Sequence, residues 1–297
     1  MTINSITEAD SVQRTGVSGL SLVFYGAGSM AEAIVKGLLH KRLTTPGQIG
    51  MFNRSNAERL EQLRNQYGVY TALEQSDKEK MLQSADIIFL AIKPKDAAES
   101  LRTLAPLLNG RQMIVSLIAG LPIRTIERLL GQTVPVIRTM PNTSATVGLG
   151  ATGLSFSDAV SAHQRDLAEE LFRAVGMTAV VEEPQLDAVT AVSGSGPAYI
   201  YYMMETMMAA GQKLGLSPQA ARELTLQTVL GAAHMVIETG EEPAELRRKV
   251  TSPNGTTQAA IETLESHRFS EAFMHAMERC MNRARELGAE IERSAGE

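Results

Sequence analysis

A chain of 297 residues, 44% hydrophobic and carrying a formal charge of −5, is long enough for one large or two medium domains with buried cores. The charge is spread along the sequence, and no stretch gathers Lys and Arg with aromatic residues, which argues against a nucleic-acid surface. A single cysteine, Cys280, excludes an intrachain disulfide framework and suits a reducing compartment, and no apolar run reaches the ~18 residues of a membrane span.

Residues 1–19 are polar, without the basic start and apolar centre of a secretory signal, and read as a loose tail; a cytoplasmic protein is expected. Leu20 to Tyr25 then reads as a buried strand running into Gly26-Ala-Gly28, followed by a helical spacing of Met30, Ile34, Leu38 and Leu39. Gly26 allows the backbone angles of a tight turn, and Gly28 leaves room for a pyrophosphate against the backbone amides. The amides of Ser29 and Met30 and the helix dipole favour that negative charge. Ala31 takes the third position of a G-x-G-x-x-G/A dinucleotide pattern. The bland alternative is an ordinary glycine turn.

Gln48–Phe52 is a second strand and ends in Asn53-Arg54-Ser55, about 27 residues beyond Gly26, where a dinucleotide fold places the acid that binds the ribose diol. No acid stands there. Arg54 pairs with a 2′-phosphate and Asn53 and Ser55 supply hydrogen-bond donors, so NADP is expected over NAD. The same residues also serve to cap helix 57–66, through Ser55 or Asn56. Asp86–Ala91 is a continuous apolar strand that stops at Ile92-Lys93-Pro94, leaving Lys93 either facing the cofactor or solvated at the carboxyl edge of the sheet. Gln112–Ser116 and Val134–Arg138 repeat the strand pattern around helix 121–130. Ala151–Phe156, helix 161–175 and Thr178–Val181 complete an alternation that argues for an α/β fold with a Rossmann-type doubly wound sheet over residues 20–182.

From Glu182 the period changes to that of helices: Leu186–Leu214, Pro218–Thr239 and Ser270–Leu287, an all-helical region expected over 183–297. Tyr199-Ile-Tyr-Tyr-Met-Met204 is apolar around most of a helix, and burial against a second copy of the chain is the natural solution. Within this region, Val250-Thr-Ser-Pro-Asn-Gly-Thr-Thr-Gln258 places a turn before a helix N-terminus, with hydroxyls at Ser252, Thr256 and Thr257. The loop fits a small anion such as a carboxylate, or is an ordinary cap and turn. No histidine has metal-ligand spacing, and Ser193-Gly-Ser-Gly196 lacks the strand-turn setting of a nucleophile elbow.

Together these stretches resemble the pyrroline-5-carboxylate reductase family. The resemblance runs through Gly26-Ala-Gly-Ser-Met-Ala31, Leu90-Ala-Ile-Lys-Pro94, Arg138-Thr-Met-Pro-Asn-Thr143, Asp187–Tyr199 and Val250–Thr257. It implies a nicotinamide-binding domain followed by a helical dimerisation domain, with dimers often gathered into decamers. It implies Arg54 at the NADPH 2′-phosphate, with NADH a second donor, and Ala91, Ile92, Lys93, Pro94, Leu117, Ile118 and Ala119 along the cofactor. It also implies that Ser252, Gly255, Thr256 and Thr257 hold the carboxylate and ring nitrogen of 1-pyrroline-5-carboxylate, with Glu183 beside that pocket. Thr257 is the residue expected to hydrogen-bond the ring nitrogen. Position, more than a dedicated acid, then drives reduction of an imine that is already protonated. Ser144, Asn254, Tyr25 and Leu117-Ile118 depart from the family's usual residues; Asn254 stands where a second glycine is common, and Asn tolerates the left-handed conformation such a turn needs.

Three other readings share parts of this pattern. A β-hydroxyacid dehydrogenase would carry a lysine on the helix opening its second domain, and Leu186–Gln212 has none. A related imine reductase and a non-catalytic relative of the family share most of these features.

Overall fold

The computed structural model describes residues 16–296, so the expectation for residues 1–15 lies outside the described residues. Residues 16–19 form a turn whose Val17 is buried in the core. The chain divides into two compact units. One runs up to Val189 and takes back the chain from Ala284 onward; the other is Thr190–Arg283.

The first unit is built on a sheet with strands β1 (Leu22–Tyr25), β2 (Ile49–Phe52), β3 (Tyr70–Ala72), β4 (Ile87–Leu90), β5 (Met113–Ser116), β6 (Val136–Met140), β7 (Gly150–Phe156) and β8 (Gly176–Val180). Their order is β3-β2-β1-β4-β5-β6-β7-β8. The strands from β3 to β6 are mutually parallel, β7 pairs antiparallel with β6, and β8 pairs parallel with β7. The order reverses between β1 and β4, which is where an open α/β sheet binds its ligand.

The apolar strands are continuous runs because both faces are covered. Leu22 and Phe24 of β1 face one layer, with Phe89 stacked on Phe24 at 4.3 Å, and share it with helices α1 (Ser29–His40), α2 (Ala57–Tyr67) and α6 (Ala162–Arg173). Val23, Ile88 and Ile114 face the other layer, with α3 (Gln75–Ser84), α4 (Ala97–Leu104) and α5 (Ile123–Leu130). Side chains alternate between faces along a strand, so each run feeds two cores at once. Both β3 and α3 are short and polar (α3 buries only Leu82) and carry too weak a period to be read from sequence.

The second unit contains α8 (Gly196–Lys213), α9 (Pro218–Thr239), α10 (Pro243–Lys249), α11 (Thr256–Ser266) and most of α12 (Phe269–Gly296). The expected continuous helix from Leu186 is a correction: it is a short α7 (Leu186–Val189), a π-turn over Thr190–Gly194, and then α8. Pro197 lacks the N–H that would continue the ladder, so the chain takes a wider turn, Ser195 N–H donating to Thr190 O at 2.8 Å, before α8 restarts with Pro197 in its first turn. No side chain of α8 is buried within the chain, and Ile200, Tyr201 (54% exposed), Tyr202 (72%) and Met203 stand open. Among the described residues, no helix is long and apolar enough to cross a membrane.

The break between units lies after Val189, a few residues past the boundary expected between 182 and 183, and the end of α12 belongs to the first unit. Two glycines explain this return: a Cβ on Gly288 would stand 2.4 Å from Gly120 O, and one on Gly120 would stand 3.0 Å from Ala284 O. Ile291 is buried in the α3–α5 layer, and Arg124 holds Glu292 through Nε and Nη2 at 3.0 and 2.9 Å. Gly288→Ala forces α12 away from Gly120 and is expected to cost about 1–3 kcal/mol. A thermal scan should show a midpoint lowered by several degrees; an unchanged midpoint would show that the packing is not this tight.

Candidate active site

The candidate dinucleotide site is assembled where β1, β2, β4 and β5 end. The ladder continues past the strands: Gly26 N–H donates to Phe52 O at 2.9 Å, Ala91 N–H to Tyr25 O at 2.8 Å, and Leu117 N–H to Leu90 O at 3.0 Å. Three separate stretches, Gly26–Met30, Ala91–Pro94 and Leu117–Ala119, thereby share one sheet edge. Gly26 has φ +117, and a Cβ there would lie 2.2 Å from Ala91 O, so both conformation and space require glycine.

Gly28 differs. It is the N-cap of α1, its φ of −80 is open to any residue, and nothing lies within 4 Å of the place its Cβ would occupy. The open space sits directly before a helix start with no side-chain cap, so the amides of Ser29, Met30 and Ala31 are left to bind something else. That pairing fits a pyrophosphate. A cleft of about 700 Å3 runs from here along Tyr25, Asn53, Arg54, Ala91, Ile92 and Lys93.

The loop after β2 is held by its own amides. Asn53 Oδ1 accepts from Asn56 N–H at 2.8 Å, Asn53 Nδ2 donates to Asn56 O at 2.9 Å, and Asn56 Oδ1 accepts from Arg59 N–H at 2.9 Å. Asn56 is therefore the cap of α2, leaving Ser55 exposed and uncommitted. Arg54 is 82% exposed and lies 3.8 Å from Asp96, a pair too solvated to fix it. Lys93 is exposed at the same mouth, and Pro94 opens the short turn that precedes α4. Met30, Ala91, Ile92 and Leu117 pack partly into the cores and Ile118 is fully buried; of these, Ala91 and Ile92 line the cleft.

Two groups at this mouth were not visible in the sequence. Lys78 of α3 donates to Arg54 O at 3.4 Å, and Arg59 of α2 reaches Glu32 of α1. Both depend on helices crossing in space, which no spacing reports.

A second candidate site lies in the other unit. Asn254 takes φ +58, the left-handed conformation expected of it, and its N–H donates to Gln258 Oε1 at 2.7 Å. Gly255 caps α11 without a side-chain bond, and a Cβ there would meet Ser252 Oγ at 2.5 Å. The hydroxyls of Ser252, Thr256 and Thr257 have no hydrogen-bond partner among the described residues, and Thr257 is half-buried. A helix start with free amides, framed by three free hydroxyls, suits a small anion such as a carboxylate.

Glu183 belongs to the first unit. Its Oε1 accepts from Ile123 N–H at 2.7 Å, closing the start of α5, and from Arg138 Nη1 at 3.1 Å. Arg138 is nearly buried and also donates to Asp187 at 3.4 Å, while Arg285 lies 3.5 Å from the same carboxylate. Removing one partner of such a buried pair leaves a charge uncompensated. Among the described residues, no group of three His, Cys, Asp or Glu side chains is placed to hold a metal ion.

Pyrroline-5-carboxylate reductase 2 of Bacillus subtilis (strain 168) is 44% identical over 275 residues, covering 91% of this chain and 98% of its own. The chain belongs to the pyrroline-5-carboxylate reductase family. A family model for pyrroline-5-carboxylate reductase dimerisation matches residues 183–287, and one for NADP oxidoreductase, coenzyme F420-dependent, matches 21–120. A pyrroline-5-carboxylate reductase from Coxiella burnetii superposes with a TM-score of 0.83 at 39% identity, covering 90% of this chain and 98% of that one. Another family member, the Plasmodium falciparum enzyme solved with NADP bound, gives 0.82 at 27% identity, covering 91% and 98%.

Glu32 gives the cofactor half a pH signature. Burial works to raise its carboxyl, but hydrogen bonds from Arg59 and Tyr67 outweigh it and hold the group below its ordinary value of 4.5. A carboxyl lowered by folding adds stability above its unfolded value, and that stability is lost as the pH falls through the folded one. Thermal midpoints measured downward from pH 4.5 should therefore fall more steeply for the unmodified protein than for Glu32→Gln. Parallel curves would remove Glu32 from the acid response.

Proposed function

We infer that the chain reduces the C=N bond of 1-pyrroline-5-carboxylate with NAD(P)H, giving L-proline. The observation that carries the reading is the pair of uncapped helix starts, α1 behind Gly28 and α11 behind Gly255, in a chain 44% identical to a named reductase over nearly its whole length. When bound, the nicotinamide cofactor supplies the hydride, which goes to the imine carbon; the C=N π electrons pass to the protonated nitrogen, leaving an amine and NAD(P)+.

The chain's residues do the positioning. The amides of Ser29 and Met30, with Ala27 and Gly28, cradle the pyrophosphate; Asn53, Arg54 and Ser55 take the adenosine end, Arg54 at the 2′-phosphate. Gly26, Ala91–Pro94 and Leu117–Ala119 line the way to the nicotinamide. The amides of Thr256 and Thr257 and the Ser252 hydroxyl take the substrate carboxylate, while Gly255, its own N–H donating to Ser252 O at 3.0 Å, closes the turn that presents them. Thr257 Oγ accepts the ring N–H of the protonated imine, fixing the carbon that receives hydride. Holding the two reacting carbons about 3–3.5 Å apart supplies most of the rate, so no histidine or lysine acid is required. Glu183 acts from behind, by holding Arg138 and the start of α5.

The open apolar faces of α8 and α9 support a homodimer through the helical unit, with dimers gathered into rings such as decamers; the single cysteine suits a cytoplasmic setting. The function is tested by following NADPH oxidation with racemic substrate beside NADH and identifying proline as the product. Tight NADPH binding without turnover would return the chain to a non-catalytic relative.

Two substitutions separate the halves. Arg54→Ala should raise the KM for NADPH roughly 10- to 100-fold, the worth of charge-assisted hydrogen bonds, and leave NADH nearly unchanged. Thr257→Val should lower kcat/KM for the imine by a similar factor with NADPH affinity intact. Full turnover and full substrate affinity in Thr257→Val would remove that residue from the reaction.

A further inference from the structure

The glycine turn and the loop after β2 approach the cofactor from two different strands, and one side chain joins them. Arg59 lies in the first turn of α2. Its backbone N–H is held by the Asn56 cap at 2.9 Å, and that cap is locked to Asn53. Its side chain crosses to α1, where Nε donates to Ala27 O at 3.1 Å and Nη2 pairs with Glu32. Glu32 in turn accepts from Tyr67 Oη at 2.9 Å, at the far end of α2. Arg59 and Glu32 are only about a quarter exposed, and both line a second cleft of about 610 Å3 with Gly28, Ser29, Arg54 and Ser55.

We propose that Arg59 is a positioning residue for the dinucleotide, fixing the Ala27-Gly28 turn and neutralising Glu32 so that the free amides of α1 meet a pyrophosphate. The proposal rests on the nicotinamide-cofactor reading above and deepens it. Two features carry it. The Ala27 carbonyl is the peptide oxygen immediately before Gly28, so holding it sets where the next amides point. Glu32 sits in the first turn of the helix that must receive phosphate charge, and an unpaired carboxylate there would repel it. Burial of Glu32 alone would favour the neutral acid, yet Arg59 and Tyr67 keep it ionised, so its charge needs a fixed partner.

A role at the pyrophosphate has a signature that Arg54 lacks. The pyrophosphate is common to NADPH and NADH, whereas the 2′-phosphate belongs to NADPH alone. Dissociation constants of both cofactors are therefore measured by fluorescence titration for the unmodified protein, Arg59→Gln, Arg59→Lys and Arg54→Ala. Arg59→Gln should weaken NADPH and NADH by the same factor, on the order of tenfold or more, with the KM for the imine at saturating NADPH changed less than about threefold. Arg59→Lys keeps the charge but replaces the rigid Nε and Nη2 fork that spans Ala27 O and Glu32 with a single flexible point charge, so it should show the same equal loss at a smaller size. This variant also carries the test if Arg59→Gln fails to fold. A loss confined to NADPH would place Arg59 on the 2′-phosphate instead, and affinities unchanged for both cofactors, or a loss mainly in imine KM, would overturn the proposal. Failure of the unmodified protein to bind either cofactor would count against the underlying reading and not against Arg59 specifically.

Discussion

The first unit depends on a backbone meeting at the end of β1. Gly26 approaches Ala91 O so closely that no side chain fits, and its φ of +117 turns the chain sharply out of the sheet. That turn brings the start of α1 to the switch point of the sheet, between β1 and β4, with its first amides uncapped. Everything on the cofactor side follows from the free amides. The loop after β2 reaches them because β2 pairs with β1, and Ala91–Pro94 reaches them because β4 pairs with β1 from the other side.

The two units each use the same physical device. A glycine at a helix cap leaves amides without partners, and neighbouring groups choose the anion that fills them. At Gly28 the neighbours are the cations Arg54 and Lys93, which suit a doubly phosphorylated nucleotide. At Gly255 the neighbours are hydroxyls, which suit one carboxylate and a small ring nitrogen. A reaction whose substrate is already an electrophilic cation needs little beyond this placement.

Much of this was legible in the sequence because it is local. The glycine turn, the acid-free end of β2, the Pro-Asn-Gly turn and the apolar helix at Tyr199 each announce themselves within a dozen residues, and Asn254 adopted the left-handed turn its chemistry allows. What could not be read is carried by contacts between distant segments. Glu32 and Arg59 lie on different helices, and nothing in either helix marks the pairing. Gly120 and Gly288 meet only because the last helix returns to the first unit. Glu183, matched to the substrate pocket by resemblance, is engaged at the start of α5 and with Arg138. The break in the helix at Thr190–Gly194 was foreshadowed by Pro197, whose missing N–H outweighs a continuous apolar pattern.

A reductase of this family moves hydride directly from the nicotinamide to the imine carbon. Reduction of racemic 1-pyrroline-5-carboxylate with NADPH deuterated at the transferable C4 position tests it in one experiment. The account predicts proline carrying one deuterium on the ring carbon beside nitrogen that was the imine carbon, formed in step with NADPH consumed. Proline without deuterium, or NADPH held without turnover, would contradict it.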